Sequence, residues 1–417
     1  MALWSLAVKS LRNRRQTALL TVLSIAVSVC LLLGVEKVRH EVRAQFLNTV
    51  SGTDLVVGAR SGSINLLLYT VFRIGDATNN ISWNSYQEFA NHPQVSWSIP
   101  LSLGDSHRGY RVLGTSNAYF EHLRYGGGHS LRLQEGRVFT ELYDVVLGAE
   151  VARQLNYQLG DQIIVAHGGG QVSFVHHDDQ PFTVVGILAP TGTPVDRTLH
   201  VSLEAIEAIH VGWHSGMPSR RVSAEQLAKM DLTPKTITGF MVGLKSKVAT
   251  FQLQRQINEY RREPLSAIMP GVALQQLWSL IGVAEKALLV VSALVVVSGL
   301  IGMMTNLLSS LNERRREMAI LRSIGARPWQ IAALLMSESL ALTFAGLILG
   351  LALLYGGLLA AQPWIASQFG FYLSLGLPGP GDWLLMGAVL LAGLLAGLVP
   401  AAKAYRQSLV DGLTPRI

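Results

Sequence analysis

The sequence predicts a membrane α-helical protein with four transmembrane helices and a large extracytoplasmic domain of mixed α/β structure between the first and second helix. Charged residues are only 15% of the 417 residues, whereas soluble domains contain about 25%. Four stretches are apolar over a length that crosses about 30 Å of hydrocarbon. A long segment of balanced charge separates the first stretch from the other three.

The spans are predicted from continuous apolar sequence. They cover residues 17–35, 287–311, 331–361 and 383–402. The third exceeds the roughly 20 residues that a span needs, so we expect it to tilt or to project from the bilayer. Trp278, Trp364 and Trp383 lie near span ends, where aromatic side chains typically sit at the membrane surface.

Basic residues are concentrated on one side of the spans. Residues 1–16 and 403–417 and the loop 312–330 are rich in Lys and Arg, whereas the loop 362–382 contains neither. The positive-inside rule therefore places both termini and the loop 312–330 in the cytoplasm, and residues 36–280 and 362–382 outside it. We expect a multi-pass protein of the cell inner (cytoplasmic) membrane, with its large domain in the periplasm or outside.

The net charge of +7 follows from this topology. Residues between Glu36 and Gln275 include 21 basic and 21 acidic side chains, so the whole basic excess flanks the membrane spans. A basic excess in that position indicates contact with membrane lipid and argues against a nucleic-acid partner.

Helical patterns extend beyond the apolar spans. Residues 1–16 have apolar side chains at helical spacing, which indicates an amphipathic helix on the inner membrane surface or a plain extension of the first span. Residues 36–46 and 272–286 also keep a helical pattern. These two segments predict a pair of stalk helices; the alternative is that the helices fray into loops there.

Local signals in the outer segment predict mixed α/β structure. Short β-branched runs at 110–114, 145–148 and 182–188 predict strands. Residues 150–155 and 203–209 predict helices, the second with Ser202 as its N-cap. These elements indicate a folded domain outside the membrane.

Histidine is concentrated in this domain, since all eleven histidines lie between His40 and His214. Asp178 and Asp179 lie among them, and imidazole with carboxylate suits zinc or copper. The alternative is a solvated, histidine-rich loop. The candidate metal ligands are His167, His176, His177, His210 and His214.

Patterns of catalytic residues are missing from the sequence. It contains no Gly-Lys dipeptide, and therefore no loop of the type that holds nucleotide phosphates in P-loop ATPases. We expect a chain that is not itself an enzyme and carries no organic cofactor.

The loop 312–330 has an amphipathic pattern. Its apolar side chains, Met318, Ile320, Leu321 and Ile324, alternate with arginines at helical spacing. Gly325 suits the end of a helix, and Pro328 suits the first turn of the next one. The arginines alone would only anchor the topology, but the apolar residues favour a helix that docks on a partner.

The loop also carries a recognisable pattern, Arg316-Glu-Met-Ala-Ile-Leu-Arg-Ser-Ile-Gly-Ala326, followed by Ile331 and Glu338. Three other short segments, at residues 11–15, 159–161 and 400–404, carry further motifs of the same family. In these motifs the chain resembles ABC permeases of the FtsX, LolC/LolE and MacB type, which are also called mechanotransmission proteins.

The resemblance implies an ABC ATPase partner, which would bind ATP and Mg, and pairing of two permeases as a homodimer or heterodimer. It assigns coupling to the ATPase to Arg316, Glu317, Ile320, Leu321, Arg322, Ile324 and Gly325. Glu317 would pair with a basic group of the ATPase or cap its own helix. The family's fused ATPase, found in MacB, is absent here, so a separate ATPase chain is expected.

Three functions remain open from the sequence. The first is export or extraction of a lipoprotein, peptide or small molecule. The second is force transmission to an outer partner, such as a cell-wall hydrolase or a lipoprotein, without transport. The third is a metal-linked membrane sensor that uses the histidine-rich segment.

Overall fold

The computed structural model describes residues 15–406 except 50, 168–180, 212, 215–216, 219–229, 314–317, 319, 321, 324, 370–375 and 377. Most of the predicted N-terminal helix therefore lies outside the described residues. The chain divides into two compact units. The membrane unit comprises residues 1–41, 282–363 and 373–417, and the outer unit comprises residues 42–281 and 364–372.

Among the described residues, four helices are long and apolar enough to cross a membrane, which confirms the predicted fold class together with the α/β outer unit. They are α1 (Arg15–Thr49), α8 (Pro270–Glu313), α9 (Pro328–Phe369) and α10 (Pro380–Arg406). The predicted stalk segments 36–46 and 272–286 are thus helical. Helix α9 continues past the predicted end of the third span, because loss of hydropathy ends a span without ending the backbone hydrogen bonds of a helix.

Small and polar side chains pack the helices of the membrane unit closely together. Ser339 Oγ of α9 donates to the carbonyl of Gly393 in α10 at 2.6 Å. A Cβ added to Gly393 would lie 2.2 Å from Thr343 Oγ1, so only glycine fits there. Between α1 and α8, Asn306 Nδ2 donates to Thr21 Oγ1 at 2.8 Å. Close approach and interhelical hydrogen bonds of this kind are what holds helices together in lipid.

The outer unit is a mixed α/β domain. Its α-helices are α2 (Ser63–Thr70), α3 (Trp83–Ala90), α4 (Ala118–His122), α5 (Ala149–Leu155), α6 (Leu203–His210) and α7 (Thr250–Asn258). Its strands are β1 (Leu55–Ala59), β2 (Ile81–Ser82), β3 (Val95–His107), β4 (Tyr110–Thr115), β5 (Arg124–Tyr125), β6 (His129–Ser130), β7 (Leu133–Gly136), β8 (Asp144–Leu147), β9 (Gln162–Ile163), β10 (Ala166–His167), β11 (Phe182–Leu188), β12 (Thr198–Ser202), β13 (Trp213–His214), β14 (Met217–Pro218), β15 (Thr236–Ile237), β16 (Gly239–Leu244) and β17 (Leu265–Ile268).

The main sheet has the order β17-β1-β16-β3-β4-β12-β8-β11-β7, with β10 on β3 and β9 on β11. Strand β3 is long enough to pair with β16 through its first half and with β4 through its second. Strand β1 lies between β16 and β17, and all five of its residues are buried. Such a strand is covered on both faces, which explains its uninterrupted apolar sequence.

The local predictions for the outer segment are confirmed. The runs at 110–114, 145–148 and 182–188 form β4, β8 and β11, and residues 150–155 lie in α5. The Ala205 amide donates to Ser202 Oγ at 3.1 Å, so Ser202 caps α6 as expected.

Candidate coupling surface and anchoring core

A buried apolar cluster holds the predicted coupling segment on the membrane helices. Met318 is 8% exposed. It packs within the membrane unit against the end of α8, the start of α9 and the end of α10 through Leu311, Ile331, Leu335, Ala401 and Ala404. Met318 therefore holds one side of the segment against the membrane helices. The opposite side is the candidate binding surface.

The backbone of this segment is a helix with a glycine stop. Met318, Ile320, Arg322 and Ser323 are helical, and the Ser323 hydroxyl donates to the Ile320 carbonyl at 2.8 Å. Gly325 has a φ of +104°, the left-handed backbone that the sequence predicts for the helix end. Its amide donates to the Arg322 carbonyl at 3.0 Å, which closes the last turn.

Two apolar side chains of this region point away from the cluster. Ile320 is 48% exposed and Trp329 is 54% exposed. Trp329 was not predicted to be a coupling residue. Its position directly after Arg327 and Pro328 is the sequence signal that could have identified it. Trp and Arg side chains are enriched at protein–protein interfaces, so the role of Ile320 and Trp329 in binding a partner is a prediction.

Of the remaining predicted coupling residues, the structure describes the surroundings of Arg322 and Gly325. Arg322 is half-buried and Gly325 is exposed. The side chains of Arg316, Glu317, Leu321 and Ile324 lie outside the described residues. Their role in coupling remains a prediction.

An ionisable side chain is buried in the span that follows the coupling segment. Glu338 of α9 is 2% exposed, and its neighbour Ser339 is fully buried. Burial of a carboxyl group inside a membrane span is costly and is usually associated with function. Glu338 lies about 15 Å along the helix from Pro328.

Within the outer unit, the last turns of α1 and the first turns of α8 enter one hydrophobic core. The Phe46 ring lies 4.4 Å from the Phe72 ring and 5.6 Å from the Trp278 ring, between centroids. Ala273 and Leu274 of α8 belong to the same core and are almost fully buried. We call Phe46, Phe72 and Trp278, with Ala273 and Leu274, the anchoring core.

The anchoring core corrects one expectation from the sequence. Trp278 was predicted to lie at the membrane surface, but it is 9% exposed and packs in the core of the outer unit. The reason is that α8 begins at Pro270, so its first turns belong to the domain rather than to the span. Trp364 and Trp383, in contrast, are 61% and 64% exposed.

One ion pair links α1 and α8 just beyond their apolar spans. Arg39 of α1 lies 4.0 Å from Glu285 Oε2 of α8, and it also lies 2.5 Å from Glu36 Oε1 of its own helix. Solvent-accessible pairs of this kind contribute about 0–1 kcal/mol each. The Arg39–Glu285 pair is therefore a weak link between the two helices.

The candidate metal ligands are only partly described. His210 Nδ1 donates to the Ile206 carbonyl at 2.5 Å, and its Nε2 lies 4.0 Å from Asp105 Oδ1. The backbone of His167 pairs with that of Asp105 in the sheet. His176 and His177, and the side chains of His167 and His214, lie outside the described residues. Among the residues that are described, no three His, Cys, Asp or Glu side chains form a metal-binding group.

His200, in the same part of the sequence, belongs to the core. It is fully buried in β12, and its Nδ1 lies 3.3 Å from the Val146 carbonyl. Burial, together with the nearby Arg73 guanidinium, lowers the pKa of His200 to about 3. The imidazole is therefore neutral at physiological pH and serves packing.

Comparison with known proteins covers both units. The family described as "MacB-like periplasmic core domain" matches residues 18–260, and the family described as "FtsX-like permease C-terminal" matches residues 289–409. The periplasmic region of MacB from Actinobacillus actinomycetemcomitans superposes with a TM-score of 0.35 at 13% identity, covering 55% of this chain and 95% of that one.

Two curated relatives are similar over most of the chain and a third over a shorter part. The pyoverdine export ATP-binding/permease protein PvdT of Pseudomonas fluorescens is 27% identical over 78% of this chain and 47% of its own length. The macrolide export ATP-binding/permease protein MacB 1 of Yersinia pestis is 24% identical over 77% of this chain and 46% of its own length. The ABC transporter permease YknZ of Bacillus subtilis is 35% identical over 28% of each chain. The chain thus spans about half the length of the first two relatives.

Proposed function

The chain belongs to the MacB-type permeases of ABC transporters, and from this premise we propose that it couples ATP hydrolysis by a separate ATPase subunit to movement of its outer unit. The protein works in the cell inner membrane, paired with a second permease. The movement exports or extracts a substrate on the outer side.

One observation carries the proposal. Helices α1 and α8 each run without interruption from an apolar span into residues of the anchoring core. Because packed protein interiors transmit displacement rather than absorb it, movement of these helices moves the residues packed around Phe46 and Trp278. A substrate-binding outer domain driven from the membrane needs a connection of this type.

Ile320 and Trp329 form what we call the coupling surface, the proposed binding site for the ATPase. Ile320 and Trp329 offer apolar contacts to an ATPase, while Met318 ties the segment to three membrane helices. The 417 residues contain no phosphate-binding Gly-Lys loop.

Substitutions in the coupling helix test the proposal. Burial of one aliphatic side chain at an interface is worth about 1.5–3 kcal/mol, so Ile320→Asp and Leu321→Asp should each release the ATPase. Ile320→Leu is the matched control and should retain it. Arg322→Ala should weaken coupling only mildly, because Arg322 is half-buried and still reaches solvent, and ionic contacts that water screens contribute about 0–1 kcal/mol.

The measurement is copurification of the ATPase in detergent, identified by mass spectrometry, together with the ATP hydrolysis rate in nanodiscs. An ATPase that stays fully bound and coupled to both Asp variants would show that this helix is not the coupling element. Topology is tested separately, by labelling single cysteines at Ser219 and Ser408 in a Cys30→Ser background. Labelling from the same side of the membrane would contradict the proposed orientation.

The substrate class is proposed from the names of the relatives. The relatives are named for export of pyoverdine and macrolides, both small molecules, and we extend this class to peptides and lipoproteins for the present chain. The anchoring core would serve equally well for force transmission to an outer protein. The test is to identify the molecules that copurify with the full chain while ATP hydrolysis is blocked. A small molecule would support transport, and a stably bound protein would support force transmission.

A further inference from the structure

The outer unit contains a cleft of about 680 Å³, bounded by β7, α5 and the loop that follows α5. Its floor is formed by Ala152 of α5 and Ile187 of β11, which are 7% and 8% exposed and belong to one hydrophobic core. Leu159 and Pro190, which are exposed, add apolar walls. A cleft of this size accommodates a small organic molecule, since ligand sites typically measure about 300–1,000 Å³.

Hydrogen bonds fix the wall of the cleft that follows α5. Asn156 has left-handed backbone with a φ of +55°, which ends α5 and turns the chain into this wall. The Gly160 amide donates to the Val184 carbonyl at 2.8 Å, and the Val184 amide donates to the Asp161 carbonyl at 2.9 Å, so the wall is fastened to β11. A preformed site of this kind binds a ligand without the cost of ordering a loop.

The cleft carries a net negative charge. Among the described residues, two charged side chains line it, Glu135 and Arg153. Arg153 forms an ion pair with Glu150 of its own helix, which balances its charge. Glu135 is exposed, and its carboxylate forms no ion pair with a described side chain, although residues 133–137, 144–161 and 182–190 around it are described throughout. The uncompensated charge of the cleft is therefore the Glu135 carboxylate.

This carboxylate stands beside the apolar floor. Glu135 pairs with Ile187 in the register of β7 and β11, and directly opposite residues project from the same face of a sheet. The arginines that flank β7 leave the charge in place, because Arg137 forms an ion pair with Asp144 and Arg132 does not line the cleft. A carboxylate next to apolar surface selects a ligand that joins a cationic group to an apolar one, since the cation finds a complementary charge while the apolar part leaves water.

We propose that this cleft binds a small organic cation, an amine joined to an aromatic or aliphatic group. The ammonium group pairs with Glu135, the apolar group lies on Ala152 and Ile187, and the exposed amides of Asn156 and Gln158 at the rim hold the polar parts. The site rests on the proposed function for its role, because it gives a transported small molecule a place in the outer unit. Binding is measured without ATP or an ATPase, so that failure of the cleft and failure of coupling are distinguishable.

Titrations followed by saturation-transfer NMR on the full chain test the cleft. The protein is reconstituted in phosphatidylcholine nanodiscs, and the signals of empty nanodiscs are subtracted. The probes are phenethylamine, phenethyl alcohol and phenylacetate, which share a phenyl group and differ in charge. Wild type should bind the amine most tightly and phenylacetate least.

Removal of the carboxylate should abolish this preference. Glu135→Gln should weaken binding of the amine about five-fold and leave binding of the alcohol unchanged, because one water-accessible ion pair is lost. Glu141→Gln is the matched control: an exposed carboxylate of the same domain that does not line the cleft. It should bind all three probes as wild type does.

Shortening an apolar wall gives a second, independent arm. Leu159→Ala should weaken binding of the amine and the alcohol alike, roughly five-fold, because it removes apolar contact without changing charge. Ile164→Ala, an exposed aliphatic residue outside the cleft, should leave both unchanged.

Three results would each overturn the proposal. The first is equal binding of the amine and phenylacetate by wild type, a comparison that needs no variant to fold. The second is an undiminished preference for the amine in Glu135→Gln. The third is binding of all probes by Leu159→Ala as in wild type, since the ligand would then lie elsewhere on the protein.

Discussion

Truncation of Phe46 in the anchoring core should disconnect helix α1 from the outer unit. Replacement of a core Phe by Ala costs about 3–5 kcal/mol. Phe46 is half-buried and keeps two ring contacts, with Phe72 and Trp278, so we expect the lower end, about 3 kcal/mol. Because about 1.4 kcal/mol corresponds to a factor of ten, local opening of this core should become roughly 100-fold more frequent.

Hydrogen–deuterium exchange of the full-length protein in nanodiscs measures this opening. In Phe46→Ala, amides at residues 66–73 and 270–281 should exchange roughly 100-fold faster, while those of α7 should be unchanged. Phe251→Ala makes the same chemical change on α7, where the ring is 68% exposed, and should leave exchange in the anchoring core as in wild type. The ATPase should still bind Phe46→Ala, because the coupling surface is untouched.

The functional consequence is separable from stability. Phe46→Ala should hydrolyse ATP with its partner but lose the substrate-dependent change in rate, since movement of α1 no longer reaches the outer domain. If exchange around Trp278 stayed at the wild-type rate, the Phe46 contacts would not hold the helix, and the mechanical argument would have to be abandoned. Accelerated exchange with full substrate coupling would refute the link between this core and function.

Three further outcomes concern His200, Gly393 and the candidate metal ligand His210. The pKa of His200 lies at about 3, below its ordinary 6.5, so stability is lost as pH falls from about 6.5; denaturant titrations should show an acid loss between pH 7 and pH 5 about 2 kcal/mol smaller in His200→Phe. Gly393→Leu should lower the melting temperature in detergent, because Thr343 occupies the space of its Cβ, whereas Gly387→Leu in the same helix should not. Calorimetry with zinc should show binding near pH 7.5 that weakens near pH 5.5, as imidazole takes up protons, and His210→Ala should reduce it; no binding at the higher pH would favour a solvated loop.

The membrane helices and several outer elements were predictable because their signals are local. Long apolar runs defined the spans, β-branched runs predicted β4, β8 and β11, and Ser202 marked the start of α6. Gly325 likewise predicted where the coupling helix ends. Each of these signals lies within one continuous stretch of chain and needs no partner from elsewhere in the fold.

The anchoring core was not predictable, because its members come from three distant parts of the chain. Phe46, Phe72 and Trp278 meet only when the domain has folded, and Trp278 alone has the sequence context of a membrane-surface residue. Similarly, His200 lies within the histidine-rich segment, and only the folded sheet shows that it is fully buried. Tertiary partners decide such cases, and a single sequence does not state them.

The position of β1 has a consequence for how the protein is made. Leu55–Ala59 leaves the ribosome early, yet its two partners, β16 and β17, begin at Gly239 and Leu265. Until those residues have crossed the membrane, an apolar strand with unpaired amides stays exposed to aggregation on the far side. Completion of the sheet must therefore wait until synthesis has passed β17, which ends at Ile268, just before α8 begins at Pro270. Truncation before residue 239 would leave a chain for quality-control proteases rather than a smaller functional domain.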